Sequence, residues 1–268
     1  MDKPRIVISE CINLKPVRYD GGIIKDSFSK SLENHVHFIP VCPEVDIGLG
    51  VPREKVVLVK TKKKDYRLSQ PETGLDLTQK MIHFSEYFLN QLEKIDGFLL
   101  KSKSPSCGVS GTKTYKSMNG TGFLFRGKGI FAMKVMKYFP YFPCEDESRL
   151  IDVNIRTHFL TRIFALFQLR NELSDPISLK KMKLFHKKYR ALITVYNQTR
   201  LKNLDRIIEN SQRLPLEKIK NSYENEFHKA LLRIPRTKSS SYFFPNVIGR
   251  LSKQISLLPK ELLIHLSI

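Results

Sequence analysis

The chain has 268 residues, enough to bury a full hydrophobic core or to form two modest domains. It contains no apolar run of about 18 residues, which excludes a membrane-spanning helix, and its start lacks the apolar core of a signal peptide; we therefore expect a cytoplasmic protein. Its 46 Lys and Arg residues against 26 Asp and Glu give a net charge of +20, which suits a polyanionic partner, the alternative being a lysine-rich composition of the organism's proteins in general.

Residues 1–150 alternate short strand-like runs with one long helical period. The runs are Ile6–Ile8, Val36–Val41, Val56–Val59 and Gly97–Leu100. From Leu77 to Ile95, apolar residues recur every three or four positions, which predicts a helix. Such alternation is typical of an α/β domain with a mostly parallel sheet.

From Ile151 onward the pattern changes to long amphipathic periods. Helices are predicted over 151–167, 184–208, 216–232 and 247–258, which indicates an all-helical C-terminal domain. This part of the chain holds 22 basic and 9 acidic residues, a surplus of 13. We divide the chain into an α/β domain at 1–150, a helical connector at 151–174 and a basic helical domain at 175–268.

Three cysteines each follow an apolar strand-like run. Cys11, Cys42 and Cys107 come after the first, second and fourth runs. Ligands of an open parallel sheet bind at the carboxyl ends of its strands, so the three thiols can converge on one point. A metal or cluster that is held by three thiols keeps one coordination position open, and a substrate can bind there. Cys144 follows an aromatic and proline-rich stretch, and we expect it to be a packing residue.

Two further segments lie close to these thiols in sequence. Glu44 stands two positions after Cys42, and Pro43 fixes the turn between them, which makes Glu44 a candidate general base or a solvated turn residue. The segment 101–108 combines serine hydroxyls with lysine ammonium groups. It is either a set of donors for an anion or an ordinary polar loop.

Several dispersed motifs carry a family resemblance over roughly residues 4–150. The chain resembles the thiouracil desulfidase family in Ser9-Glu10-Cys11, Arg18-Tyr19-Asp20-Gly21, Val41-Cys42-Pro43-Glu44, 48–53, 101–108 and Gly129-Ile130-Phe131-Ala132. The segment from Phe185 to Leu192 resembles a helical domain that follows this domain in tRNA 4-thiouridine desulfidases. The second resemblance depends on the Phe-His pair and the helical period.

The resemblance implies a [4Fe-4S] cluster held by Cys11, Cys42 and Cys107, with one iron left open. It implies that Glu44 activates water or relays protons, and that Ser102 positions or protonates the base. The expected reaction is non-redox removal of sulfur from thiolated uracil, most naturally 4-thiouridine in tRNA, giving uridine and sulfide. A positioned base and a Lewis-acidic iron suit this hydrolysis of C=S.

Two other functions use the same residues. One is a non-catalytic basic RNA-binding protein in which the three thiols and Cys144 hold a structural zinc. The other is a sulfur transferase that loads sulfur instead of removing it. The sequence leaves free thiouracil, thiouridine nucleotides and thiolated tRNA open as substrates.

A basic stripe is predicted on one helix of the C-terminal part. Its members are spaced for one helical surface beside an apolar face with Leu184 and Ala191, and they are Lys180, Lys181, Lys183, Lys187, Lys188 and Arg190. We expect this stripe to neutralise tRNA phosphates, the alternative being a solvated helix face.

Overall fold

The computed structural model describes residues 2–61, 65–174, 176–211, 215–235 and 243–265. The chain forms two compact units: one is Arg5–Leu150, and the other contains the residues from Ile151 on. Within the described ranges, no helix is both long and apolar enough to cross a membrane.

The described strands of the first unit form two sheets. Its strands, in chain order, are β1 (Arg5–Ser9), β2 (His37–Val41), β3 (Val57–Lys60), β4 (Tyr66–Gln70), β5 (Leu75–Asp76), β6 (Gly97–Leu100), β7 (Thr112–Tyr115), β8 (Phe123–Gly127) and β9 (Cys144–Asp146). Among the described residues, one sheet has the order β2-β1-β6-β9 and the other has the order β5-β4-β3-β7-β8.

Every pairing in the first sheet is parallel, as the sequence predicts. Strand β1 lies between β2 and β6, with Val7 opposite both Ile39 and Phe98. Ile6, Val7 and Ile8 are fully or almost fully buried, because strands of a parallel sheet are covered on both faces. The chain leaves β2, β1 and β6 at the same edge of the sheet, which is the edge where the predicted thiols follow.

The second sheet is mixed and was not predicted. Strand β3 corresponds to the predicted run Val56–Val59, but it pairs antiparallel with β4 and parallel with β7 instead of joining the first sheet. Strand propensity reports burial and local packing, and it does not select the partner strand. The pairs β4–β5 and β7–β8 are antiparallel.

The helices of the first unit are α1 (Ser27–Leu32), α2 (Pro43–Asp46), α3 (Thr78–Asn90) and α4 (Ile130–Tyr138). Helix α3 confirms the predicted helical period, but it ends at Asn90 and not at Ile95. The chain reverses there toward β6, and Lys94 adopts a left-handed conformation with φ 51° that a helix cannot contain. Leu92 and Ile95 still contact the core from this turn.

The second unit is helical, as predicted. Its helices are α5 (Val153–Glu172), α6 (Leu179–Tyr196), α7 (Gln198–Glu209), α8 (Leu216–Ala230) and α9 (Phe243–Ile255). The single helix predicted over 184–208 is two helices, because Asn197 is extended with φ −162° and its side chain caps α7 by accepting from the Arg200 amide. Aromatic rings of α6 and α8 pack together in the core: the ring centroid of Phe185 lies 4.3 Å from that of Tyr189, in a stacked pair, and 5.3 Å from that of Phe227, in a tilted pair.

Candidate active site

Three thiols follow the ends of three neighbouring parallel strands. Cys11 lies two residues after β1, Cys42 directly after β2, and Cys107 in the loop that follows β6. All three are free and buried, and all three line one cavity of about 510 Å³. The strand order β2-β1-β6 therefore brings together residues that are far apart in sequence.

The thiols are close enough to oppose one another's ionisation. Burial raises the pKa of Cys11 to about 12, and the charge of Cys42 adds to this shift while Lys101 opposes it. Burial also raises the pKa of Cys42, against a backbone hydrogen bond from Val45 and the charge of Arg53. The pKa of Cys107 lies well above its ordinary value, again mainly through burial. Three thiols so close together lose their protons only when a cation lies between them, since a bound metal ion displaces the protons and neutralises the thiolate charges.

The loop that carries Cys107 is fixed by the start of helix α4. The amides of Ile130 and Ala132 donate to the carbonyls of Pro105 and Ser106, at 3.0 and 3.2 Å. Gly129 makes this approach possible, since a Cβ there would lie 2.3 Å from the Ser106 oxygen. The loop carbonyls thus accept from the first amides of α4, and these bonds fix the position of Cys107.

Glu44 is held from both sides in the same cavity. Arg53 donates from Nε and Nη2 to Oε2 of Glu44, at 2.9 and 2.8 Å. On the other side, Ser106 donates from Oγ to Oε1 at 2.9 Å, and Ser104 lies 3.5 Å from the same oxygen. The side chains of Glu44 and Arg53 are 12% and 5% exposed. Glu44 is therefore a fixed carboxylate at the cavity wall and not a solvated turn residue.

Ser102 is part of a second hydrogen-bonded group at the cavity. Its Oγ donates to Oε1 of Glu147 at 2.6 Å, and its amide donates to Oε2 of the same carboxylate at 2.8 Å. Lys101 donates from Nζ to Oγ of Ser102 at 2.8 Å and also contacts Glu147. Ser102 and Lys101 line the cavity, so the structure brings Ser102 to the same site as the three thiols and Glu44.

The cavity wall is strongly basic. Among the described residues, Glu44 is the one carboxylate that lines it, against seven Lys and Arg side chains. Three of these cations are paired with carboxylates: Arg53 with Glu44, Lys101 with Glu147, and Arg18 with Asp20. The other four are Lys55, Lys103, Lys113 and Arg126.

Cys144 and Asp20 lie outside the cavity lining. Cys144 begins β9, is paired in register with Phe98, and contacts the hydrophobic core. It is therefore level with the start of β6, whereas the other thiols follow the strand ends. Asp20 pairs with Arg18 and accepts from the Gly22 amide at 3.0 Å. Within the described ranges, no three His, Cys, Asp or Glu side chains are arranged around a single metal ion.

The predicted basic stripe lies on α6. Lys180, Lys183 and Lys187 are exposed and spaced for one helix face. Lys188 pairs with Glu172, Arg190 with Asp205, and Lys181 donates to the Pro176 carbonyl. The expectation that Leu184 and Ala191 form a packed apolar face was wrong. Leu184 is 59% exposed, because the larger side chains Met182, Phe185, Tyr189, Leu192 and Tyr196 occupy the core-facing side.

Sequence reasoning missed three polar partners of the site: Arg53, Ser106 and Glu147. Arg53 and Ser106 lie inside motifs that were noticed for their family resemblance, but nothing in their spacing showed that they hold Glu44. Glu147 directly follows the edge strand β9, and that position at a strand end was its available signal.

Comparison with known proteins gives two family matches and a structural match. The family model described as 2-thiouracil desulfurase matches residues 6–147, and one described as a protein of unknown function, DUF1722, matches residues 188–266. A solved structure titled "[4Fe-4S]-dependent thiouracil desulfidase TudS" shares 28% sequence identity with this chain, covers 56% of it and 94% of its own length, and has a TM-score of 0.44. No curated protein matches the chain significantly.

Proposed function

The chain belongs to the 2-thiouracil desulfurase family, and on that premise we propose that it removes sulfur from thiolated uracil by iron–sulfur-dependent, non-redox hydrolysis. The observation that carries this proposal is the meeting of three buried thiols with a fixed carboxylate in one cavity. A binding module needs ligands alone, and the fixed carboxylate of Glu44 in the same cavity supports a catalytic site instead.

The donor set suits a [4Fe-4S] cluster held by Cys11, Cys42 and Cys107. Three clustered thiols with raised pKa values need positive charge between them, and iron supplies it. Held by these three thiolates, the cluster would have one iron without a protein ligand, and that iron would supply Lewis-acid chemistry for a thiocarbonyl sulfur. The position of Cys144 beside Phe98 argues against a closed four-thiol zinc site.

The residues of the chain then have separate tasks in the hydrolysis. Glu44 accepts a proton from the attacking water, and Arg53 and Ser106 keep its carboxylate in one orientation. A carbon–oxygen bond forms as the carbon–sulfur bond breaks, so the base keeps its oxidation state and sulfur leaves as sulfide. Ser102 orients the pyrimidine ring. The buried walls around Cys11 and Cys107 limit the access of other water molecules.

We propose tRNA 4-thiouridine as the substrate form. Free thiouracil is neutral, so it provides no negative charge for the Lys and Arg side chains of the cavity wall or for the exposed lysines of α6. Lys113 and Arg126 face each other directly across β7 and β8 and both line the cavity. Opposed like charges are unfavourable unless an anion lies between them, and a nucleotide phosphate is such an anion. The exposed lysine face of α6 supports the same polyanionic partner.

The experiment compares substrates with anaerobically prepared protein reconstituted with iron and sulfide. The substrates are tRNA containing 4-thiouridine, the free nucleoside and 2-thiouracil, and the readouts are released sulfide and nucleoside composition. We expect uridine and sulfide in equal amounts, with tRNA turned over best. Better turnover of 2-thiouracil would overturn the tRNA assignment. Incorporation of sulfur into unmodified tRNA would favour a transferase, and no turnover of any substrate would overturn desulfidase activity.

The role of α6 is tested by replacing Lys180, Lys183 and Lys187 with Gln together. We expect weaker tRNA binding and a logarithmic salt slope that is less steep by roughly 2 to 3, with unchanged turnover of 2-thiouracil. The matched control replaces Lys25, Lys30 and Lys80, three exposed lysines of the other unit, with the same change in net charge. Equal losses in both triple variants would mean that net charge alone matters.

A further inference from the structure

Glu147 is the largely buried centre of the hydrogen-bonded group that includes Ser102. It follows β9, the edge strand that pairs with β6, and its side chain is 11% exposed. Its two carboxylate oxygens accept from the Ser102 hydroxyl, the Ser102 amide and the Lys101 ammonium. Ser102 and Lys101 line the cavity and Glu147 is not among the lining residues, so it stands behind them.

The side-chain donors of Lys101 and Ser102 are all used in hydrogen bonds within this group. The Lys101 ammonium has three protons, and they go to Glu147, to Oγ of Ser102 and to the Ser102 carbonyl. The Ser102 hydroxyl has one proton, which goes to Oε1 of Glu147 at 2.6 Å. Neither side chain has a donor left for a ligand in the cavity.

One acceptor remains on Ser102. A serine oxygen accepts two hydrogen bonds, and Lys101 uses one of them at 2.8 Å. The second lone pair of Oγ is left for a ligand. A ligand that presents an N–H group to Ser102 can therefore form a hydrogen bond with its Oγ. A ligand that presents another acceptor cannot, and its polar atom would stay unsatisfied.

We propose that Glu147 is a positioning residue that makes Ser102 a hydrogen-bond acceptor for a ring N–H of the substrate pyrimidine. The inference rests on the proposed function, in which the ring of thiolated uracil enters this cavity. It assigns to Ser102 the recognition of a protonated ring nitrogen and not the delivery of a proton. The site would then discriminate against bases that lack this N–H.

A structural role for Glu147 is the competing explanation, because the Ser102 amide also donates to it at 2.8 Å. A structural brace acts on the whole loop, so its loss lowers stability and iron content together. A residue that acts through the Ser102 hydroxyl loses its effect once that hydroxyl is removed. The two roles therefore differ in a double-mutant cycle.

The experiment uses the full chain loaded with its cluster and the variants Glu147→Gln, Glu147→Asp, Ser102→Ala and Ser102→Ala/Glu147→Gln. We expect Glu147→Gln to raise KM about tenfold with a smaller change in kcat, Glu147→Asp to restore part of this, and the double variant to match Ser102→Ala within about twofold. Glu145→Gln is the matched control, since this carboxylate two positions earlier pairs with Arg149.

Two further measurements separate this inference from the proposed function. Calorimetric binding of uracil, which retains the ring N–H, needs no turnover, and we expect Glu147→Gln to weaken it about tenfold relative to wild type. Binding of 1,3-dimethyluracil, which has no ring N–H, should be weak in both proteins. Equal uracil affinity in wild type and Glu147→Gln, or multiplicative losses in the double variant, would overturn the role of Glu147. Absent desulfidation with the expected uracil binding would overturn only the proposed function.

Discussion

Arg53 binds one oxygen of Glu44 through two of its nitrogens, at 2.9 and 2.8 Å, and leaves the other oxygen to the serines of the Cys107 loop. Arg53 is itself anchored, because its Nη1 donates to the carbonyls of Val17 and Gly50. The orientation of the carboxylate is thus set through Arg53 by the backbone of two loops, and by the serine hydroxyls of the Cys107 loop. A candidate base with both oxygens held in this way is ready before a ligand arrives.

Arg53→Lys tests this relationship. A lysine places one point charge near Glu44 and cannot provide the pair of nitrogens that Arg53 uses. We expect kcat to fall by roughly 10- to 100-fold with unchanged iron content, because a misoriented base is a poor catalyst. Arg67→Lys, in an exposed pair with Asp76, is the control and should keep full turnover. Full activity of Arg53→Lys would contradict the positioning role.

Glu44→Gln tests the base itself. The amide keeps the shape of the side chain but cannot accept a proton, so we expect turnover to fall by roughly 10²-fold or more while the iron content stays the same. Ser102→Ala should reduce turnover more mildly. Asp20→Asn serves as the control, since Asp20 pairs with Arg18 outside the cavity lining. If Glu44→Gln turns over normally and Asp20→Asn does not, the base is Asp20.

The ligand assignment is tested by four cysteine variants. Cys11→Ala, Cys42→Ala and Cys107→Ala should each lose bound iron, visible absorption and activity, because two thiolates cannot hold the cluster. Cys144→Ala should retain all three, since its side chain contacts the hydrophobic core at the level of Phe98. Loss of iron in Cys144→Ala with retention in any of the other variants would show that the ligand set is different.

Gly129→Ala tests the anchoring of the Cys107 loop. The added methyl group would lie 2.3 Å from the Ser106 oxygen and 2.8 Å from the Pro105 oxygen, so the loop must move. We expect a loss of about 1–3 kcal/mol in the free energy of unfolding and poor iron retention. Gly249→Ala in α9 is the control, because nothing lies within 4 Å of the added group. It should be neutral or stabilising by up to about 1 kcal/mol. Thermal melts and iron assays of both variants decide the matter.

His158 predicts how stability depends on pH. Burial lowers the pKa of His158 from 6.5 to about 3, and the charge of Arg162 contributes to the shift. Between these values the unfolded chain binds a proton that the folded chain does not, so this contribution to stability is lost as pH falls below about 6.5. We expect the melting temperature to drop between about pH 7 and pH 5, and less so in His158→Gln. His37→Gln, at an exposed position, should keep the full dependence.

The sequence predicted the parts of the molecule that have local signals. The strands before Cys11, Cys42 and Cys107 and the helical period of α3 are visible as runs of apolar residues, and the parallel first sheet follows from their alternation. The second sheet has no such signal, because its strands are short and their partners are decided by tertiary packing. The break at Asn197 did have a local signal, since Asn is a strong N-cap residue. The apolar period continues across Asn197, however, so the sequence pattern predicted a single helix.

The candidate site shows the same division. The thiols and Glu44 could be predicted because each thiol comes after a strand, and Glu44 lies two positions after Cys42. Arg53 and Glu147 contact residues that are separated from them in sequence. Arg53 contacts Glu44 nine residues away, and Glu147 contacts Ser102 across 45 residues. Single polar residues in loops carry no periodicity, so their partners become visible only in three dimensions.

The position of β1 between β2 and β6 affects which kind of sequence search can detect relatives of this chain. Cys11, Cys42 and Cys107 are separated by 31 and 65 residues, and the second interval contains β3, β4, β5 and the helix α3. Nothing in the meeting of the three strand ends depends on the length of these intervals. Insertions and deletions between the thiols are therefore compatible with the meeting of the three strand ends, as long as cavity residues in the second interval, such as Arg53, are kept. A chain that differs in this way would be missed by a search for fixed cysteine spacing and retrieved by a search for three thiols after three adjacent parallel strands.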